Sequence, residues 1–133
     1  MKFGFDLHGV VDERPKLFSA LAQALIDAGH EVHLITGKRD DKSLRDELIQ
    51  LEFPFTHVFS ITSYHEEIGT AMTYDEARNP HMDGYVWDRT KGDYARRVEL
   101  DILFDDSDTY ALFFSTPYAR FFTKDKRKRY GRG

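Results

Sequence analysis

Short apolar runs of strand length alternate with stretches of helical spacing along most of this chain, and that alternation leaves few folds open. The runs are Lys2 to Leu7 (Phe3, Phe5, Leu7), Glu31 to Ile35, His57 to Thr62 and Asp101 to Phe104. After the first run and its turn-like His8-Gly9, Pro15 suits a first helical position, and Leu17, Phe18, Leu21, Ala24, Leu25 and Ala28 recur at helical spacing until Gly29. A helix from Pro15 to Ala28 follows. After the second run Thr36-Gly37 stops the strand, and Asp40 or Asp41 can cap a helix carrying Leu44, Leu48, Ile49 and Leu51. Thr90 to Glu99 reads as a short helix, Ser107 to Phe114 as a helical turn or two, and Ala119 to Thr123 as a last strand. Between them, Ser63 to Arg89 has helical character over Glu66 to Ala77, but Asn79-Pro80 and Asp83-Gly84 break it, so it reads as an irregular insertion. Apolar strands separated by helices predict an α/β fold, with a parallel sheet covered on both faces.

At 133 residues the chain fits one such domain, 1–123, followed by a basic tail, 124–133. Hydrophobic residues at 41% and charged residues at 32% exclude disorder as the main state. With no cysteine, disulfides, thiolate zinc sites and cysteine nucleophiles are excluded, so any metal must sit on oxygen or imidazole. Met1 to Phe5 lacks the apolar stretch of a signal peptide and no segment is long enough to cross a bilayer, which predicts a cytoplasmic location. The net charge of −4 divides into +6 over residues 120–133 and −10 elsewhere. Such a tail can attract nucleic acid or another anionic surface, or serve only as a solvated terminus.

In open α/β sheets ligands bind beyond the carboxyl ends of the strands. Three apolar runs hand polar groups to that edge: Asp6 and His8 from the first, Thr36 from the second, and Asp105-Asp106 from the fourth. Carboxylates crowded at the ends of two strands repel, and a hard divalent cation such as Mg²⁺ relieves that repulsion with oxygen ligands. His30, His33, His57, His65 and His81 show no ligand spacing and read as surface or packing residues. Tyr110, Phe113, Phe114, Tyr118, Phe121 and Phe122 read as core and sheet packing.

An Asp ending the first strand, a Thr ending the second, a Lys before the fourth and an acidic pair ending it make a pattern that resembles the haloacid dehalogenase superfamily of phosphohydrolases. Lys91 matches the lysine best, and Lys38, closer to Thr36, matches it less well. The resemblance spans Lys2 to about Asp106. It implies a Rossmann-like three-layer α/β/α fold whose parallel five-stranded sheet has the order 5-4-1-2-3, and no large cap domain. It also implies covalent phosphoryl transfer: Asp6 attacks phosphorus, Asp6, the main-chain carbonyl of His8, Asp105 and Asp106 hold Mg²⁺, Thr36 hydrogen-bonds a phosphoryl oxygen, and Lys91 offsets negative charge. Backbone N–H groups of Leu7 to Gly9 would complete the phosphate cradle.

His8 departs from the pattern, since relatives that act as phosphatases usually carry there a second Asp that serves as acid and base. An imidazole can do the same proton work near neutral pH. Only about eight residues separate Asp6 from the first helix, which leaves no room for a cap there, and Ser63 to Arg89 reads as a flap or lid. The expected function is an Mg²⁺-dependent phosphohydrolase acting on a phosphomonoester, a nucleotide or a nucleic-acid end, with some likeness to the 5′(3′)-nucleotidase-like branch. The alternatives are a catalytically weakened binder of phosphate or nucleic acid, and an interaction module working through Tyr64 to Trp87.

Overall fold

Residues 1–121 are described in a computed structural model. The chain runs β1 (Lys2–Phe5), a wide turn (Leu7–Val11), α1 (Pro15–Asp27), β2 (Glu31–Thr36), α2 (Lys42–Gln50), β3 (His57–Ser60), α3 (Ile61–Ile68), β4 (Thr73–Tyr74), β5 (Pro80–His81), α4 (Gly84–Val98), β6 (Ile102–Asp105), α5 (Asp108–Ala111) and β7 (Tyr118–Arg120). Five strands form one parallel sheet in the order β3-β2-β1-β6-β7. The strand numbers differ from the expected 5-4-1-2-3 because the insertion contributes two strands of its own, β4 and β5, which pair only with each other.

Side-chain alternation in the strands divides the core between the two faces of the sheet. Val32 and Leu34 of β2 pack with Phe5, with Phe18 and Ala22 of α1 and with Leu44 and Leu48 of α2. Ile35 packs on the other side with Phe59, Leu103, Ile61 of α3, and Tyr94 and Ala95 of α4. Phe5 is fully buried and stacks on Phe104 of the neighbouring strand with ring centres 5.2 Å apart. This pairing of β1 with β6 brings their carboxyl ends level, with Phe5 in register with Phe104.

The main differences from the sequence reading fall at three places. The third strand stops at Ser60, whose hydroxyl accepts from the N–H of Ser63 and starts a helix where an extended run was expected. The segment 63–89 is not irregular: it holds most of α3, the β4–β5 hairpin and the first turns of α4, which begins at Gly84 with Asp83 as its cap, not at Thr90. The last strand is Tyr118–Arg120, and the expected Phe122 and Thr123, like the basic tail 124–133, lie outside the described residues. Among the described residues no helix is long and apolar enough to cross a membrane.

Candidate active site

Because β1, β2 and β6 are parallel neighbours, Asp6, Thr36 and Asp105 reach the same edge of the sheet. The backbone N–H of Asp6 donates to the carbonyl of Phe104 at 2.9 Å, which continues the β1–β6 pairing up to the acidic residue itself. Lys91, seven residues into α4, reaches across to both strands. Its Nζ donates to Asp6 Oδ1 at 2.9 Å and to Asp105 Oδ2 at 2.8 Å. All three are removed from water, with exposures of 7% for Asp6, 1% for Lys91 and 0% for Asp105. The other oxygen of Asp105 accepts from the N–H of Ser107 at 3.0 Å, which sets its carboxylate plane.

Burial penalises charge, and here it outweighs the neighbouring ammonium: the Asp6 carboxyl is pushed up to about 8, with Asp105 and Asp106 adding repulsion in the same direction. Burial also acts against the charged form of Lys91, but the carboxylates of Asp6 and Asp105 overcome it and hold that ammonium above its ordinary value. Asp6 and Asp105 thus share one ammonium, with Asp106 close by. Their oxygens from Asp6, Asp105 and Asp106 lie within 4.8 Å of one another, a hard oxygen donor set that fits a divalent cation of the Mg²⁺ type.

Thr36 is 1% exposed and lines the same cleft as Asp6, Lys91 and Asp106, about 390 Å³ in volume. Its hydroxyl oxygen accepts from the N–H of Lys38 at 3.1 Å, which leaves its O–H proton to donate. Of the two candidate lysines, Lys91 is the one among the carboxylates. The Lys38 ammonium donates instead to Glu47 Oε1 at 3.0 Å.

His8 sits in the wide turn after β1, next to Gly9, whose φ of 97° is the left-handed conformation that glycine adopts freely. The expected phosphate cradle is altered here, because the Gly9 N–H donates to Asp12 Oδ1 at 2.7 Å. The His8 side chain is 53% exposed and its Nε2 lies 3.1 Å from Glu47 Oε2, so Glu47 joins His8 to Lys38. Glu47 and Asp12 carried no signal in sequence: Glu47 lies on α2 and meets His8 only across the fold, while Asp12 closes the turn that holds His8. His8, Asp12 and Glu47 form a second group of possible metal ligands at the cleft mouth.

Two further groups escaped the sequence reading. Tyr110, expected in the core, lines the cleft that holds Asp6 and Thr36, and its ring lies over the Lys91 ammonium, 4.7 Å from ring centre to Nζ. Trp87 lines an adjoining cleft of about 1060 Å³ that shares His8, Gly37 and Lys38 with the first and is bounded on its far side by the hairpin segment 74–80. Far from this edge, β2–β3 register stacks His57 on His33 with ring centres 4.3 Å apart, beside Glu31. Parallel rings in separate planes direct their nitrogens side by side, and His33 is already engaged by Tyr94 at 2.6 Å and Glu31 at 2.8 Å. Comparison with protein-family models, curated proteins and solved structures finds no match.

Proposed function

We propose that this chain is an Mg²⁺-dependent phosphohydrolase of the haloacid dehalogenase type, cleaving a phosphomonoester such as a nucleotide or a nucleic-acid end through an aspartyl phosphate on Asp6. The observation that carries this is the buried Lys91 bridging Asp6 and Asp105 at the carboxyl ends of adjacent strands. An ammonium held there neutralises a carboxylate nucleophile without leaving the site, as a charged group facing an incoming phosphate requires.

Asp6, Asp105, Asp106 and the main-chain carbonyl of His8 would hold the cation, which supplies the positive charge that lets an anionic nucleophile meet an anionic phosphate. In the first step a carboxylate oxygen of Asp6 forms a bond to phosphorus as the bond from phosphorus to the ester oxygen breaks. The ester oxygen departs with a proton from His8. Thr36 donates its O–H to a phosphoryl oxygen, and Lys91 offsets the charge that builds on the transferring group. In the second step a water oxygen bonds to phosphorus, the bond from phosphorus to the Asp6 oxygen breaks, and His8 takes the proton that the water gives up. Inorganic phosphate leaves and Asp6 is restored. The Glu47 carboxylate at 3.1 Å orients the imidazole for both transfers.

The engagement of His8 by Glu47 also favours a second function, that of a phosphate binder with slow turnover, because an acid–base group held at the cleft mouth delivers protons less well than a carboxylate two residues after the nucleophile. A panel of phosphomonoesters assayed with and without Mg²⁺ separates the two. Turnover that requires Mg²⁺ supports the phosphohydrolase, and saturable phosphate binding without turnover supports the binder.

A further inference from the structure

Lys91 carries its charge on a flexible stem of four carbons, and its ammonium has three N–H donors. Two go to Asp6 and Asp105. The Tyr110 ring covers the ammonium from 4.7 Å, in a place that water does not reach at an exposure of 1%. Tyr110 is fixed in turn at its far end, where its phenolic oxygen accepts a hydrogen bond from Trp87 Nε1 at 2.9 Å. Trp87 and Lys91 are four residues apart on α4 and share one face of it, so Tyr110 spans two points of the same helix.

Two close approaches make this arrangement possible. At Gly92 a side-chain carbon would collide with the carbonyl oxygen of Phe113, so α4 and the segment after α5 touch backbone to backbone. At Gly37 such a carbon would lie 2.8 Å from Trp87 Cζ2, so the loop after β2 is pressed against the indole.

We propose that Tyr110 is a positioning residue for Lys91, held in place by Trp87, and that Trp87 thereby links the large cleft to the catalytic lysine. The kinetic consequence rests on the phosphohydrolase function, while the link itself does not. A leaving group extending from the catalytic cleft past Gly37 meets the Trp87 wall. Displacing the indole removes the donor that holds Tyr110, and the third face of the ammonium then opens to water.

Three variants separate the parts. Tyr110→Leu removes the ring from Lys91, Tyr110→Phe keeps the ring and removes the acceptor, and Trp87→Phe removes the donor. With acetyl phosphate, whose leaving group is too small to reach the Trp87 wall, kcat should fall about tenfold in Tyr110→Leu and severalfold in the other two, with KM unchanged. The Tyr110→Phe/Trp87→Phe double variant should be no slower than either single one, because both remove the same bond. Unchanged kcat on acetyl phosphate in the folded variants would overturn the proposal and leave Trp87 as a wall alone. Trp87 is the chain's single tryptophan, so its fluorescence gives a readout that needs no turnover. Inorganic phosphate with Mg²⁺ should change that emission in the wild type and not in Tyr110→Phe. If the wild type turns over nothing, the phosphohydrolase function fails, yet this difference would still support the link. An equal response in both proteins, or none in either, would overturn it.

Discussion

Burial beside Asp105, Asp106 and the Lys91 ammonium makes Asp6 a residue whose protonation state the fold controls. Its carboxyl ionises at about 8 in the folded chain against an ordinary 3.8. Between those values the folded protein holds a proton that the unfolded chain has released, so stability falls as pH rises through that window. The contribution from Asp6 is fully present below pH 3.8 and gone once pH has passed about 8. Urea denaturation of the metal-free protein from acid to mildly alkaline pH should show this decline, and Asp6→Asn, which cannot ionise, should flatten it. A slope identical in the two proteins would place the retained proton elsewhere. Lys91 makes the complementary case. Replacing it with Met leaves buried carboxylates without their cation, which should cost about 3–5 kcal/mol of stability, read as a lower denaturation midpoint at unchanged slope. A loss within the error of the midpoint would mean that the pair contributes nothing net.

At the level of elements, the polar residues that end β1, β2 and β6 were legible in sequence because an apolar run followed by Asp or Thr states both the strand and its exit. Asp6, Thr36, Asp105 and Asp106 were readable for that reason, and Lys91 only through the resemblance, as the lysine in the helix before β6. Trp87, Tyr110 and Glu47 were not, because each reaches the cleft from a separate element through a contact that no local period encodes. The β4–β5 hairpin was missed for a different reason, since two-residue strands have no alternation to detect. His57 beside His33 is a matter of strand register, which the spacing of histidines within each segment does not reveal. The contact of α4 with the segment after α5 gives the prediction that belongs at this scale. Gly92→Ala forces a side-chain carbon against the Phe113 carbonyl, backbone against helix, and must move one of them. It should destabilise by about 1–3 kcal/mol, as overpacking does, and lower turnover by displacing Tyr110 from Lys91. Wild-type stability and rate in Gly92→Ala would show that this packing yields easily.

Across the whole molecule, the charge is divided as the sequence states, acidic over the domain and basic over the tail. If the tail attracts polynucleotides, deleting residues 124–133 should leave hydrolysis of small phosphomonoesters unchanged while weakening polynucleotide binding and making its salt dependence shallower. Equal binding with and without the tail would leave its charge a solubilising one. On the proposed function the small-molecule chemistry belongs to the domain, where one sheet edge gathers Asp6, Lys91, Asp105 and Asp106 from positions up to 100 residues apart in sequence. The most direct measurement is acid quenching during turnover of a phosphomonoester with Mg²⁺, followed by mass spectrometry of the digested chain. One phosphoryl group on the peptide containing Asp6, present only with Mg²⁺ and missing from Asp6→Asn, is the predicted result. Substrate turnover with Asp6 unmodified at every quench time, and undiminished in Asp6→Asn, would contradict it.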